Sequence, residues 1–124
     1  FPNQIVGVKD SSYNLFENLE LDNFSVMPGS ESKLLVGLEH GCSGIITATC
    51  NVTAQLARRV YDDFLLGKNQ TYNQKLIDVR NEFEKYNLIS ALHTLKSKED
   101  IIYKNLLLAL RLWYVPLQLD FRLQ

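Results

Sequence analysis

At 124 residues and 46% apolar content, the chain suits one domain with enough hydrophobic material for a core. Lys and Arg (13) and Asp and Glu (14) are mixed along it and leave a net charge of −1, which argues against a nucleic-acid surface or a polybasic membrane patch. The apolar runs fall far short of the roughly 20 residues of a membrane span, and no signal peptide opens the chain, so the composition predicts a soluble protein.

Ile5 to Lys9 reads as a first strand, with Ile5, Gly7 and Lys9 on one face and Val6 and Val8 on the other. An apolar run that ends on a lysine and then turns small and polar reads as a buried parallel strand delivering one amine to its C-terminal mouth. Asp10, Ser11 and Ser12 offer N-cap oxygens to a helix carrying Leu15, Phe16 and Leu19, which Asp22-Asn23 ends. Phe24 to Met27 predicts a second strand, closed by Pro28-Gly29-Ser30. Ser30 or Ser32 then caps a helix with the stripe Leu34, Leu35 and Leu38, stopped by Gly41. Gly44 to Thr49, rich in β-branched residues, predicts a third strand. A long helix follows, with Val52, Leu56, Val60 and Phe64 at helical spacing and Gly67 as its stop. Strand ends near Lys9, Gly29 and Thr49 describe repeated βα units and a parallel sheet.

From Thr71 the pattern is helical only. Leu76, Val79, Phe83 and Tyr86 mark one amphipathic helix, and Leu88 to Leu95 a short second one. Ile101 to Leu112 predicts a third, apolar on most faces and so well buried, ended by Pro116. The tail from Leu117 carries no assignment. Three parallel strands followed by helices cannot close an eight-stranded barrel, which takes at least roughly 200 residues. An isolated open sheet would also leave its edge strands bare. The chain opens on Phe1-Pro2-Asn3 without an initiator methionine and enters a strand at once, which predicts a piece of something longer.

Cys42 and Cys50 flank the predicted third strand. At about 3.3 Å per residue their Cα atoms would lie more than about 20 Å apart, where a disulfide needs about 7 Å or less. Free thiols in a reducing cytoplasm are the expectation, with Cys50, near the strand's mouth, more simply a small buried filler than a reactive thiol. The Asn-X-Ser/Thr triplets at Asn23, Asn51 and Asn69 are chance matches in such a compartment. His40 and His93 have no partner at metal-ligand spacing, so no metal is expected. Arg58-Arg59 and Asp62-Asp63 read as a solvated helix face. Phe83, Tyr86, Tyr103, Trp113 and Tyr114 read as helix packing.

Pro2-Asn3-Gln4-Ile5-Val6-Gly7-Val8-Lys9-Asp10-Ser11-Ser12 resembles the Schiff-base strand of the pyruvate-dependent class I aldolases, the superfamily of N-acetylneuraminate lyase and dihydrodipicolinate synthase. Met27-Pro28-Gly29-Ser30-Glu31 and the run from Gly41 to Val52 match further segments of that family in order. Together they resemble strands six to eight of a TIM (β/α)8 barrel over 1–69, followed by the family's C-terminal helical extension over 70–124. The Gly29-Ser30-acidic pattern is most similar to archaeal 2-keto-3-deoxygluconate aldolases, which often place Asp where this chain has Glu31.

The resemblance implies an aldehyde-lyase without a cofactor. It would cleave 2-keto-3-deoxy sugar acids to pyruvate and an aldehyde, as a cytoplasmic homo-oligomer (dimer or tetramer). Its substrate would be a small-molecule 2-keto acid, and it would bind neither nucleic acid nor membrane. Lys9 would be the nucleophile. Ser11, Gly29, Ser30 and Glu31 would bind the sugar-derived part of the substrate, and Ile46 would line the pyruvate pocket. Read without the resemblance, Lys9 is more simply a solvated strand-end lysine, Gly29-Ser30 a strand-to-helix turn, and Ile46 core packing. In the family reading, apolar surroundings depress the ammonium below its reference pKa of about 10.4 and free the amine to attack. Gly7, two residues back on the same face, leaves room beneath it. The family's proton-shuttle tyrosine and carboxylate-holding threonine pair would precede Phe1, so the 124 residues alone are expected to be inactive. A dihydrodipicolinate synthase, a neuraminate lyase-type enzyme or a non-catalytic half-barrel are the alternatives.

Overall fold

Strand β1 (Gly7–Asp10) pairs in parallel with β2 (Ser25–Pro28), Gly7 opposite Ser25 and Lys9 opposite Met27. The structure is a computed structural model that describes residues 1, 3–12 and 14–104. One compact unit spans Phe1–Asn81 and a second begins at Glu82. The described residues form an α/β fold with a small open parallel sheet and helices α1 (Leu34–Glu39), α2 (Cys50–Leu65), α3 (Asn73–Glu84) and α4 (Leu88–Lys96).

Alternation along the strands sorts the sheet's faces. Val8 and Val26 turn to a cluster with Phe16 and Cys42, against which Leu15, Leu19, Phe24 and Val36 pack. Gly7, Lys9, Ser25 and Met27 take the other face. A second cluster of Leu34, Leu38, Ala57, Val60 and Leu76 joins α1 and α2 to the first turn of α3. In the unit from Glu82 onward, Phe83, Ala91 and Leu92 are buried, and the Asn87 side chain caps α4 by accepting from the Ser90 N–H.

Both helix-stopping glycines act as expected. Gly41 and Gly67 have φ of +82° and +62°, a left-handed conformation in which a side chain is penalised. After Gly41, the Cys42 N–H reaches the carbonyl of Gly37 and the Gly41 N–H that of Leu38. After Gly67 the same pattern recurs, from Lys68 to Asp63 and from Gly67 to Phe64. Each is a Schellman motif that satisfies carbonyls the helix would otherwise orphan.

Two expectations are corrected, a third is refined and a fourth is tested only over its first residues. The predicted third strand, Gly44 to Thr49, is irregular, joined to β2 by a hydrogen bond from the Ile46 N–H to the Pro28 carbonyl. β-Branched content favours a strand only where a ladder of partners exists. The helix expected at Leu15, Phe16 and Leu19 is a single 3-10 turn, Leu15–Glu17. The predicted helix after Ser30 begins as a 3-10 turn, Glu31–Lys33, before α1. The predicted buried helix from Ile101 shows only a 3-10 turn, Ile101–Lys104, with Ile101 and Ile102 exposed, and its remainder with Trp113, Tyr114 and Pro116 lies outside the described residues.

Gly7 proves necessary for another reason than space under Lys9. A Cβ there would stand 2.8 Å from the backbone oxygen of Ser25, so the glycine admits the close approach of β2.

Candidate functional site

One end of the sheet gathers the chain segments that carry the expected site. The Gly29 N–H donates to the Asp10 carbonyl at 2.8 Å, and Ile46 binds Pro28 at 3.1 Å. The ends of β1 and β2 and the 43–49 segment therefore meet at the C-terminal edge of the parallel pair, where parallel sheets with helical crossovers present their ligand sites.

Lys9 is exposed, and its Nζ donates to Ser11 Oγ at 3.0 Å. Next to it Asp10 is buried. Its Oδ1 accepts from the Ser12 N–H and hydroxyl, and its Oδ2 accepts from the Leu15 N–H. Of the three expected capping residues, Asp10 thus ties down the loop. That fixes the backbone on both sides of Ser11 and, with it, the start of the Lys9 side chain. Asn14 Oδ1 accepts from Lys33 Nζ at 3.4 Å, a second amine on these loops.

Gly29 and Ser30 are buried, and Ser30 Oγ caps the turn by accepting from the Ser32 N–H. Ile46 is 45% exposed, so it is not the core packing that was its other reading. Glu31 is different: it is fully buried at 0%. Its Oε1 accepts from Thr47 Oγ1 at 2.6 Å and Thr53 Oγ1 at 3.0 Å, and Arg80 lies 3.4 Å from Oε2. The structure therefore brings Lys9 and Ser11 into contact and turns Glu31 into the interior.

Arg80 and the threonines were not among the residues singled out by sequence. A signal for Arg80 existed: it stands four residues after Leu76 and three before Phe83, a charge inside an apolar helical stripe, and both of those neighbours are buried. Thr47, Thr49 and Thr53 carry no comparable signal, because threonine suits the strand expected there equally well.

Cys42 and Cys50 are free thiols, as expected. Burial pushes the Cys42 thiol up, and the charge of Asp10 adds to that. Burial pushes Cys50 up as well; a hydrogen bond with Thr47 opposes the shift and the Glu31 charge reinforces it. Raised thiols are poor nucleophiles at neutral pH. A cavity of about 530 Å³ lined by Phe16, Leu19, Phe24, Val26, His40 and Cys42 opens on the Val26 face, opposite the face that carries Lys9.

Among the described residues no three His, Cys, Asp or Glu side chains gather as a metal site would require. None of the described helices is long and apolar enough to cross a membrane. Arg58 and Asp62 pair at 2.7 Å on the exposed side of α2, where screening leaves such a pair little weight.

The sequence profile of the dihydrodipicolinate synthetase family matches residues 2–123. No curated protein and no solved structure matches the chain.

Proposed function

The chain belongs to the dihydrodipicolinate synthetase family, and from that premise we propose that it carries the Schiff-base lysine of a class I aldolase. On this reading the enzyme cleaves 2-keto-3-deoxy sugar acids to pyruvate and an aldehyde. The observation that supports it best is Lys9 at the C-terminal end of a parallel strand, within hydrogen-bond reach of Ser11 and beside the β2 end at Gly29. A family match over nearly the whole chain is the context in which that geometry acquires chemical meaning.

The neutral Lys9 amine attacks the C2 ketone of the substrate, and loss of water leaves an iminium. The iminium accepts the electron pair of the C3–C4 bond as it breaks. The C4 hydroxyl surrenders its proton and becomes the aldehyde, and the enamine left on Lys9 takes a proton at C3. Hydrolysis then releases pyruvate and restores the amine. Ser11, one hydrogen bond from Nζ, orients the amine and exchanges that bond for the bound substrate. The exposed Lys9 needs apolar walls to lose its proton near neutrality. We assign those walls, the proton-shuttling tyrosine and the carboxylate-holding threonines to the family's earlier barrel strands, packed against the open edge of β1. Residues 1–69 then form the end of a (β/α)8 barrel and 70–124 its helical extension, in a homo-oligomer acting on a small-molecule 2-keto acid in the cytoplasm.

The test is pyruvate release by the intact protein from a panel of keto-deoxy sugar acids, with and without a terminal phosphate. Cleavage of at least one of them, lost in Lys9→Met, is the expected outcome. Turnover only in the synthetic direction, condensing pyruvate with an amino aldehyde, would replace the lyase by a synthase. Unchanged activity in Lys9→Met would remove the lysine from the mechanism.

A further inference from the structure

The buried pair of Glu31 and Arg80 has no task in the chemistry just described, yet it stands at the same end of the sheet. Arg80 NH1 donates to Thr49 Oγ1 at 3.1 Å and lies 3.4 Å from Glu31 Oε2. The Thr47 hydroxyl proton goes to Glu31 Oε1, so the 3.2 Å contact between Thr47 and Thr49 is donated by Thr49. Thr47 Oγ1 also accepts from the Cys50 N–H at the start of α2. It therefore gives one hydrogen bond and accepts two, which is all a hydroxyl can do. Thr53 Oγ1 divides its proton between Glu31 Oε1 and the Thr49 carbonyl.

This network grips the 43–49 segment at Thr47 and Thr49 from both sides. The segment is not a strand, so a backbone ladder does not hold it in place. Glu31 is fully buried, and swinging out to a ligand would break its hydrogen bonds from Thr47 and Thr53 and part it from a buried arginine. We propose that Glu31 and Arg80 are positioning residues: they lock the 43–49 segment so that Ile46 is held at the mouth beside Lys9, and Glu31 itself does not touch substrate. The proposal rests on the aldolase reading for its catalytic consequence but not for its structural one. The locked wall sets how tightly the 2-keto acid is held more than how fast the bond breaks.

Full-length protein carrying Arg80→Met is compared with wild type and with Arg80→Lys, by amide hydrogen exchange and by steady-state kinetics. In Arg80→Met, exchange of the Ile46 and Cys50 amides should rise about tenfold or more beyond the rise that the lost global stability gives amides in the middle of α2. KM for the 2-keto acid should rise about tenfold with kcat changed by less than about threefold, and Arg80→Lys should recover part of both. If Arg80→Met does not fold, the double variant Glu31→Gln/Arg80→Met removes both buried charges and takes its place. Exchange that rises evenly across the unit, or a lower kcat with KM unchanged, overturns the proposal. So does a folded double variant with wild-type protection at Ile46 and Cys50. A wild-type protein without turnover refutes the aldolase reading alone, and the lock then stands or falls on exchange.

Discussion

Lys9 sits where an apolar strand gives way to a polar loop, and its amine rests on a hydroxyl two residues further along. That placement was legible in the sequence, because alternation and the small polar residues after it mark a strand end without reference to anything distant. The burial of Glu31 was not, because nothing near it in the sequence announces the arginine 49 positions away that is folded onto it. Removing one member of such a buried pair costs on the order of 3–5 kcal/mol, whereas replacing both is far milder. Urea unfolding should therefore show Glu31→Gln and Arg80→Met each strongly destabilising, and the double variant less so than their sum.

The thiols give a second test at the residue scale. Burial raises Cys42, so the folded state keeps this proton after the unfolded chain, with a thiol near pH 8.5, has released it. The folded state binds more protons in that window, and stability must fall as pH rises. The contribution is complete below the ordinary thiol range and is lost toward the raised folded value. Urea melts from pH 7 to 10 should show a decline that is shallower in Cys42→Ala. An equal slope in the variant would mean the thiol is not shielded.

Among the elements, helix ends were read correctly where the information is local, and Gly41 and Gly67 announce two Schellman ends. The predicted stripes turn inward only in part: Leu34, Leu38, Val60, Leu76 and Phe83 are buried, Leu35, Val52, Leu56, Phe64 and Val79 are half-buried, and α2 buries Thr53 and Ala57 instead. Gly67→Ala separates conformation from packing. Nothing stands within 4 Å of the added Cβ, so the loss of about 1 kcal/mol expected in thermal or urea unfolding comes from the left-handed backbone alone. Leu76, at 0% exposure in the cluster shared with Leu34 and Val60, should cost about 2–5 kcal/mol as Leu76→Ala. The 43–49 segment was misread as a strand because its β-branched residues meet the compositional rule, while strand formation is a contract with neighbours. Here the threonines satisfy side chains instead of flanking a ladder, and propensity cannot see that choice. The first connection, reduced to one 3-10 turn, shows the same limit: Leu15 and Phe16 reach the core without a full helix.

At the scale of the molecule, a two-stranded sheet leaves the far edge of β1 open among the described residues, and Ile5 and Val6 are 59% and 61% exposed beside it. A bare apolar strand edge recruits other strands. The 124 residues expressed by themselves should self-associate, and Val6→Lys should lower their light scattering; a dilution-insensitive monomer would argue against it. The open edge is also where the proposed aldolase needs the rest of its walls, so catalysis and assembly make the same demand on one surface. Intact protein incubated with pyruvate and reduced with borohydride should gain one pyruvate-derived adduct, mapped by mass spectrometry to the peptide containing Lys9 and absent in Lys9→Met. An adduct on another lysine, or none at all under conditions where the enzyme turns over, would contradict the account.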